Sequence, residues 1–229
     1  YGIPAYRFPR EKLDAEIASI LSTGVEVHTE VTVGKDISFE QLHKDYDCLY
    51  VAIGAHTDKK TGIPGEDSKN VMSAVEMLRA IGDDIMPDFA GKPVLVIGGG
   101  NIGADVARTA LRCGAEKVSL YCLEDYDSMP MGVEDRTECE EDGIEIHAGW
   151  GQTEILAENG RCSGIRFRKC LSVRNAEGRF APTFDDNTTE EVPCDMVLYC
   201  IGQKVDWKGL LTGTAVELNP NGTAKADPV

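Results

Sequence analysis

The chain has 229 residues, of which 42% are hydrophobic and 27% charged, and its formal net charge is −16. Length and composition predict a globular protein with a full hydrophobic core. The negative charge argues against nucleic acids and anionic membranes as partners, because both would be repelled. No apolar run approaches the ~18 residues that span a bilayer and no signal peptide is visible, so we expect no membrane span and a cytoplasmic location. Because the chain starts at Tyr1 within a pattern, we expect it to be part of a longer protein.

The eight cysteines and four histidines indicate a reducing compartment rather than a metal site. No two cysteines form a Cys-x-x-Cys motif, and several lie in apolar runs, where cysteine acts as a small hydrophobic residue. A disulfide scaffold is not expected in a chain with so large a core. We therefore predict no metal or iron–sulfur cluster in this chain and no dithiol relay.

The first part of the chain predicts two helices and two strands. Apolar residues recur at helical spacing between Pro9 and Gly24, and Ser38 is suited to cap a short helix over 38–42. Residues 24–31 alternate between apolar and polar, which is typical of a strand. Residues 48–53 form the continuous apolar run of a buried parallel strand.

The middle of the chain predicts a doubly wound parallel unit. After a glycine-rich loop over 54–69, which is a candidate domain crossing, helical and strand patterns alternate. The predicted helices cover 73–81, 101–113 and 133–141, and the predicted strands cover 94–97, 117–122 and 144–146. Such an alternation is typical of a Rossmann-like α/β fold.

The pattern changes after Gly149. Residues 153–156 and 164–168 alternate around an Asn-Gly turn, which predicts an antiparallel hairpin. Residues 172–191 are polar and loop-like, and we expect them to add further hairpin pairing. Residues 195–202 again have the pattern of a buried strand, and the last twenty residues look loosely ordered. The predicted fold is thus a doubly wound parallel sheet with an antiparallel β-meander.

A glycine motif follows the strand over 94–97 and opens the next helix. In the dinucleotide-binding pattern Gly-x-Gly-x-x-Gly, the glycines allow a sharp turn, the approach of a diphosphate to the backbone, and close packing of helix on strand. The N–H groups at the helix start would bind the diphosphate. The alternative is a βα turn without a ligand. The site prediction comprises Gly98, Gly99, Gly100, Asn101, Ile102 and Gly103, with Asp105 either orienting the diphosphate loop or interacting with the helix dipole.

Several segments resemble the small (beta) subunit of glutamate synthase and its relatives, within the pyridine nucleotide-disulphide oxidoreductase superfamily. Residues 47–54 echo residues 195–202, and the glycine motif lies between the two copies. In that architecture a nicotinamide-binding domain is inserted into a flavin-binding domain. The other matching segments are Tyr1–Pro9, Ala52–His56, Ile63–Asp67, Tyr121, Met129-Pro130 and Ile201–Gln203.

The resemblance implies a flavin-dependent oxidoreductase that passes a hydride from NAD(P)H to FAD and electrons on to an iron–sulfur domain or subunit. It implies a partial FAD-type domain over 1–66, an NAD(P)-binding domain over 67–204 and a return segment over 205–229. By analogy, Gly54, Gly202 and Gln203 would contact the nicotinamide end. Stacking nicotinamide on flavin needs no catalytic side chain, so none is named.

Two departures from that family lead to further expectations. The flavin domain's own glycine motif would precede Tyr1 and its later Gly-Asp motif would follow Val229, so we expect FAD in the full-length protein but not retained by this chain. The chain alone is therefore expected to be inactive. The alternative is a non-catalytic nucleotide-binding or assembly module. A dehydrogenase acting on a small substrate lacks a visible catalytic set here. The sequence leaves the oligomeric state and the final acceptor open.

The second departure concerns the choice between NAD(H) and NADP(H). Members that use NADP carry two arginines after the tyrosine, where this chain has Cys122 and Leu123 followed by Glu124. A 2′-phosphate prefers an arginine fork, whereas a free 2′-hydroxyl can donate to a carboxylate about 20 residues past the glycines. Glu124 and Asp125 are otherwise solvated loop charges. The sequence therefore favours NAD(H) over NADP(H).

Overall fold

The structure is a computed structural model that describes residues 2–226. These divide into two compact units. The core unit comprises residues 2–4 and Lys60–Gly202, and the flanking unit comprises residues 5–59 and 203–226. The helices are α1 (Arg10–Leu21), α2 (Phe39–Asp45), α3 (Ala74–Gly82), α4 (Asn101–Arg112) and α5 (Val133–Glu141). The strands are β1 (Thr57–Asp58), β2 (Val71–Ser73), β3 (Pro93–Ile97), β4 (Lys117–Cys122), β5 (Glu145–Ala148), β6 (Trp150–Glu158), β7 (Arg161–Arg174), β8 (Phe180–Pro193), β9 (Met196–Tyr199) and β10 (Gln203–Lys204).

The core unit is built on a five-stranded parallel sheet in the order β2-β9-β3-β4-β5. Its central strand β3 is buried on both faces, which explains the continuous apolar run in the sequence. Val94 and Val96 pack into a cluster with residues of the helices, while Leu95 and Ile97 pack into a second cluster on the opposite face. The two-residue period of a strand thus divides the core into two layers.

The second face of the sheet is covered by a three-stranded antiparallel meander in the order β6-β7-β8. Tyr121 of β4 lies between two aromatic rings, since its centroid is 4.2 Å from that of Phe167 and 4.3 Å from that of His147. Both pairs are nearly parallel stacks. Large aromatic side chains therefore join the meander to the parallel sheet.

The prediction of a parallel α/β sheet with an antiparallel meander is confirmed. The helices and strands predicted between residues 73 and 168 all form, with ends shifted by a few residues. Residues 172–191 were expected to be loop-like with some pairing, whereas β8 is a 14-residue strand paired along β7. The side chains of β8 are mostly exposed, so they do not show the apolar alternation that identifies a strand in a sequence. The strand is held instead by its backbone pairing with β7.

The flanking unit contains α1, α2 and the antiparallel pair β1-β10. Ser38 caps α2 as predicted, with its hydroxyl accepting from the Gln41 N–H at 3.0 Å. The strands predicted over 24–31 and 48–53 do not form, although every residue of both segments is described. Tyr50 is 96% exposed. Both segments have the apolar pattern of strands, but a strand needs a neighbour for its backbone hydrogen bonds, and the described residues supply none.

Candidate nucleotide-binding site

The glycine motif forms a tight turn at the carboxyl end of β3, between β4 and β9. Gly98 has a φ of 132°, and a Cβ there would lie 2.4 Å from the Cys200 carbonyl oxygen. A Cβ on Gly103 would lie 2.2 Å from the Gly98 carbonyl oxygen. The packing of the chain against itself therefore requires glycine at both positions.

The two middle glycines differ from each other in their surroundings. A Cβ on Gly99 would lie 2.8 Å from the Cβ of Cys122, whereas a Cβ on Gly100 would have no atom within 4 Å. Gly100 is also the N-cap of α4 and has no side-chain cap. The first N–H groups of a helix lack partners within the helix and attract anions. The space beside Gly100 is therefore open at a helix start of the kind that attracts anions, and diphosphate binding there stays a prediction.

The remaining residues of the motif have different surroundings. The Asn101 side-chain oxygen accepts from the Gly132 N–H at 2.8 Å, and Ile102 is 44% exposed. The helix α4 begins at Asn101, and its first turn contains no acidic residue. Asp105 is half-buried just beyond that turn, so an interaction with the helix dipole is weaker there than expected.

A cavity of about 630 Å³ lies beside the loop that follows β4. One wall comes from that loop and includes Leu123, Glu124 and Asp125. The other wall comes from β7 and includes Lys169 and Arg174. The cavity therefore has carboxylates on one side and cations on the other.

Cys122 is 3% exposed and packs directly against Gly99. Burial, followed by the nearby charge of Glu124, raises the pKa of its thiol to about 12. The thiol is therefore uncharged at neutral pH, and its close approach leaves no room for a side chain on Gly99. Cys122 therefore packs against the glycine turn at Gly99.

The loop after Cys122 is ordered by its own hydrogen bonds. The Asp125 carboxylate accepts from the N–H groups of Ser128 at 2.9 Å and Asp127 at 3.1 Å, and the Ser128 bonds lower its pKa. Met129 is 6% exposed and belongs to the core, so it packs beneath this loop. Glu124 is half-buried and lines the cavity. Of the two carboxylates, Glu124 is the better placed to accept from a ribose.

Three arginines of α4 and α5 take part in contacts within the protein. Arg108 is 9% exposed and pairs with Glu138 and, at 2.7 Å, with Asp142. Arg112 also reaches Asp142, at 3.3 Å. Arg136 donates to the Tyr126 carbonyl oxygen and lies over the Tyr126 ring. Both Arg108 and Arg112 join α4 to α5.

Of the three residues expected at the nicotinamide end, two lie where the chain passes from the core unit to the flanking unit, and Gly54 lies within the flanking unit. Gly202 ends the core unit with a φ of 95°. Gly54 has a φ of 67° in the flanking unit, and Gln203 begins β10, where it pairs with Asp58. Their contact with a nucleotide stays a prediction.

The sequence did not single out Lys169, which lies on the cavity wall. Its ammonium donates to the Ala148 carbonyl oxygen at 3.3 Å and lies 4.9 Å from the centre of the Trp150 ring. The pairing of β7 with β8 shifts register between Arg168 and Lys169. Such a bulge redirects side chains, so alternation along the strand does not reveal which residues face the cavity.

Every helix within residues 2–226 is too short or too polar to span a membrane. No three His, Cys, Asp or Glu side chains there are grouped as metal ligands.

Comparisons with known proteins agree with this geometry. The beta subunit of the NADP(+)-dependent formate dehydrogenase of Moorella thermoacetica is 36% identical over 231 residues, covering 100% of this chain and 32% of that protein. The glutamate synthase [NADPH] small chain of Halomonas elongata is 29% identical, covering 99% of this chain and 50% of that protein. This chain thus spans about a third to a half of these relatives. The resemblance to the glutamate synthase small subunit is confirmed.

A solved structure shares the fold of this chain, and a family model matches its sequence. The oxidoreductase FprA of Mycobacterium tuberculosis has a TM-score of 0.72 at 19% identity, over 87% of this chain and 60% of that chain, which shows a shared two-dinucleotide-binding fold. Residues 5–228 match the family described as pyridine nucleotide-disulphide oxidoreductase. The chain therefore belongs to the pyridine nucleotide-disulphide oxidoreductase family.

Proposed function

We propose that this chain is the nicotinamide-nucleotide-binding part of a flavin-dependent oxidoreductase similar to the glutamate synthase small subunit. The observation that carries the proposal is the open space beside Gly100 at the uncapped start of α4. In a family of pyridine nucleotide oxidoreductases, that space fits the diphosphate of NAD(P)H. The adjoining cavity, lined by Glu124, fits the adenosine part.

The residues of the chain bind and orient the nucleotide rather than react with it. The N–H groups at the start of α4 hold the diphosphate, and the Glu124 carboxylate accepts a hydrogen bond from the ribose. Bound NAD(P)H supplies a hydride to a flavin. Because that transfer needs alignment and exclusion of water, no acid or base of this chain is assigned.

The other parts of the proposal concern the longer protein. We assign residues 1–66 and 205–229 to an FAD-type domain and 67–204 to the nucleotide-binding domain. The exposed apolar segments 24–31 and 48–53 support an incomplete flavin domain, so FAD is expected in the full-length protein and not in this chain. An iron–sulfur domain or subunit would receive the electrons, in the cytoplasm.

We also propose that the chain prefers NAD(H) to NADP(H). Glu124 on the cavity wall would repel a 2′-phosphate and accept from a 2′-hydroxyl, and Cys122 and Leu123 stand where members that use NADP have two arginines. The names of the relatives point the other way, because the formate dehydrogenase and the glutamate synthase above are NADP and NADPH enzymes. Lys169 and Arg174 on the opposite wall are the residues that would hold a 2′-phosphate if the preference is reversed.

Calorimetric titration of the purified chain with NADH and with NADPH tests the proposal. We expect saturable binding of NADH, and of NADPH more weakly. Tighter binding of NADPH would overturn the preference but not the site. Absence of binding for both nucleotides would overturn the site. Reduction of a dye by the full-length protein with each nucleotide tests the flavin-dependent activity separately.

A further inference from the structure

Two buried cysteines that are far apart in the sequence lie side by side in the core unit. Cys162 is the second residue of β7, and Cys194 lies between β8 and β9. Their sulfur atoms are 3.7 Å apart, and the residues are 5% and 3% exposed. Both belong to the apolar cluster beneath the meander.

The surroundings of the two thiols make them unequal. The hydrogen bond from the Cys194 thiol lowers the pKa of Cys162, and the same bond, followed by burial, raises the pKa of Cys194. Cys162 also lies 3.7 Å from the Gly164 carbonyl oxygen. Cys162 is therefore the better nucleophile of the pair and Cys194 the resolving partner, because the thiolate is the reactive form.

We propose that Cys162 and Cys194 form a redox-sensitive pair that a small peroxide converts into a disulfide. The Cys162 thiolate attacks one oxygen of hydrogen peroxide, which gives a sulfenic acid and releases hydroxide. The Cys194 sulfur then attacks the Cys162 sulfur, and the sulfenic oxygen leaves as water. Two thiols and one peroxide thus give one disulfide and two waters, with sulfur oxidised and peroxide reduced.

Cys162 lies close to the surface along the chain, because it follows the exposed turn of Asn159 and Gly160, which joins β6 to β7. Two backbone hydrogen bonds of 3.0 Å hold this part of the chain to Lys69, one from the Lys69 N–H to the Gly160 carbonyl oxygen and one from the Cys162 N–H to the Lys69 carbonyl oxygen. We expect a small oxidant to reach the sulfur when these bonds open. Peroxide is close to water in size and uncharged, so it can enter where a larger disulfide reagent cannot.

The disulfide would join the two sheets of the core unit. Cys162 lies in the meander, while Cys194 is two residues from Met196, the first residue of β9 in the parallel sheet. Cys170 lies on the same strand as Cys162 and is also buried, but its thiol donates to the Ser172 carbonyl oxygen at 3.5 Å. Burial on β7 alone therefore does not create such a pair.

Mass spectrometry of the native chain tests the proposal. The folded protein is treated with hydrogen peroxide, its remaining thiols are alkylated after denaturation, and it is digested without reduction. Of the eight thiols, six should then be alkylated, and dithiothreitol should restore all eight. Cleavage before Asp195, together with trypsin, separates Cys194 from Cys200, so a cross-linked peptide identifies its partner unambiguously. Eight alkylated thiols, or a cross-link between other cysteines, would overturn the proposal.

Variants separate the roles of the two sulfurs. In Cys194→Ser, the cross-link should disappear and a dimedone adduct should accumulate on Cys162. In Cys162→Ser, neither product should form at Cys194. Cys113→Ser, which removes a partly exposed thiol outside the pair, should leave the cross-link intact. If a serine variant does not fold, the corresponding alanine variant replaces it. Unchanged cross-linking at Cys162 in Cys194→Ser would contradict the pairing.

None of these measurements depends on nucleotide binding, so the proposed function can fail while this inference holds.

Discussion

The Cβ that Gly103 lacks would lie 2.2 Å from the carbonyl oxygen of Gly98, whereas the Cβ that Gly100 lacks would meet no atom within 4 Å. Two glycines of one motif therefore serve different purposes. Gly103 allows α4 to pack against the turn, and Gly100 leaves space that no protein atom fills. Substitutions at these two positions should consequently affect different properties.

Gly100→Ala should weaken nucleotide binding without unfolding the protein. The residue has a φ of −101° and a ψ of 174°, which alanine adopts readily, and the new methyl group meets no protein atom. We expect a loss of at least tenfold in NADH affinity, or ~1.4 kcal/mol, at an unchanged unfolding midpoint. Calorimetry and thermal denaturation measure the two quantities. Unchanged affinity in a folded variant would show that the diphosphate lies elsewhere.

Gly103→Ala should instead destabilise the fold, because its methyl group meets backbone that cannot move aside cheaply. We expect a loss of about 3 kcal/mol in the free energy of unfolding. Denaturant unfolding of the variant and the native chain gives the difference. A change below ~0.5 kcal/mol, which is usual for neutral surface sites, would contradict the close approach.

More of the fold than of the candidate site could be predicted from the sequence. The apolar run of β3 and the helical spacing of α4 are local patterns, and both elements form. The proximity of Cys162 and Cys194 was not predictable, because 32 residues separate them and their approach depends on the register of β7 with β8. The strand predicted over 48–53 does not form, and a local pattern cannot show whether a neighbouring strand is present. Its pattern describes a strand, but pairing requires a neighbour.

Leu123→Arg combined with Glu124→Ser should shift the nucleotide preference towards NADPH. Both positions line the cavity, so the change adds a cation and removes the carboxylate. One charged hydrogen bond contributes ~1.5–3 kcal/mol, which is roughly one to two orders of magnitude in the ratio of dissociation constants. Cys122 is left unchanged because it packs against Gly99.

The matched control for the Glu124→Ser part of this variant is Asp127→Ser. It removes the same charge from the same loop, at an exposed residue that does not line the cavity. We expect it to leave the ratio of NADH to NADPH affinity unchanged. An equal shift in the control would mean that the overall charge of the loop, rather than Glu124, governs the preference.

Lys169→Gln should weaken NADPH binding and leave NADH binding unchanged, because only NADPH carries a 2′-phosphate. Arg179→Gln removes a cation from the same hairpin outside the cavity lining and is the control. We expect roughly a tenfold change in NADPH affinity for the first variant, which corresponds to ~1.4 kcal/mol. An equal loss for both nucleotides would show that Lys169 acts through its contacts with Trp150 and Ala148.

The Arg108–Asp142 pair should make stability depend on pH in acid. The hydrogen bond from Arg108 holds the pKa of Asp142 below its ordinary value of 3.8. The unfolded chain therefore binds this proton at higher pH than the folded chain, so the stabilisation is complete above pH ~4 and is lost as the pH falls through the lowered pKa. Asp142→Asn should cost ~1–2 kcal/mol at pH 7 and flatten the acid dependence, as measured by urea unfolding.

The control for the Asp142 variant is Glu40→Gln, which removes an exposed partner of Lys44. We expect little change in stability from this substitution at any pH, because exposed pairs contribute little. If Asp142→Asn retains the full acid dependence of the native chain, carboxylates other than Asp142 must be responsible for it.

Residues 24–31 and 48–53 should differ in hydrogen exchange between this chain and the full-length protein. Their backbone forms no strand here and Tyr50 is 96% exposed, so their amides should exchange rapidly in the isolated chain. In the full-length flavoprotein that we propose, neighbouring strands would pair with both segments and slow exchange by several orders of magnitude.

The isolated chain should then purify without stoichiometric FAD, as judged by absorbance near 450 nm. A yellow chain that keeps its flavin through dialysis, or rapid exchange of both segments in the full-length protein, would contradict an incomplete flavin domain.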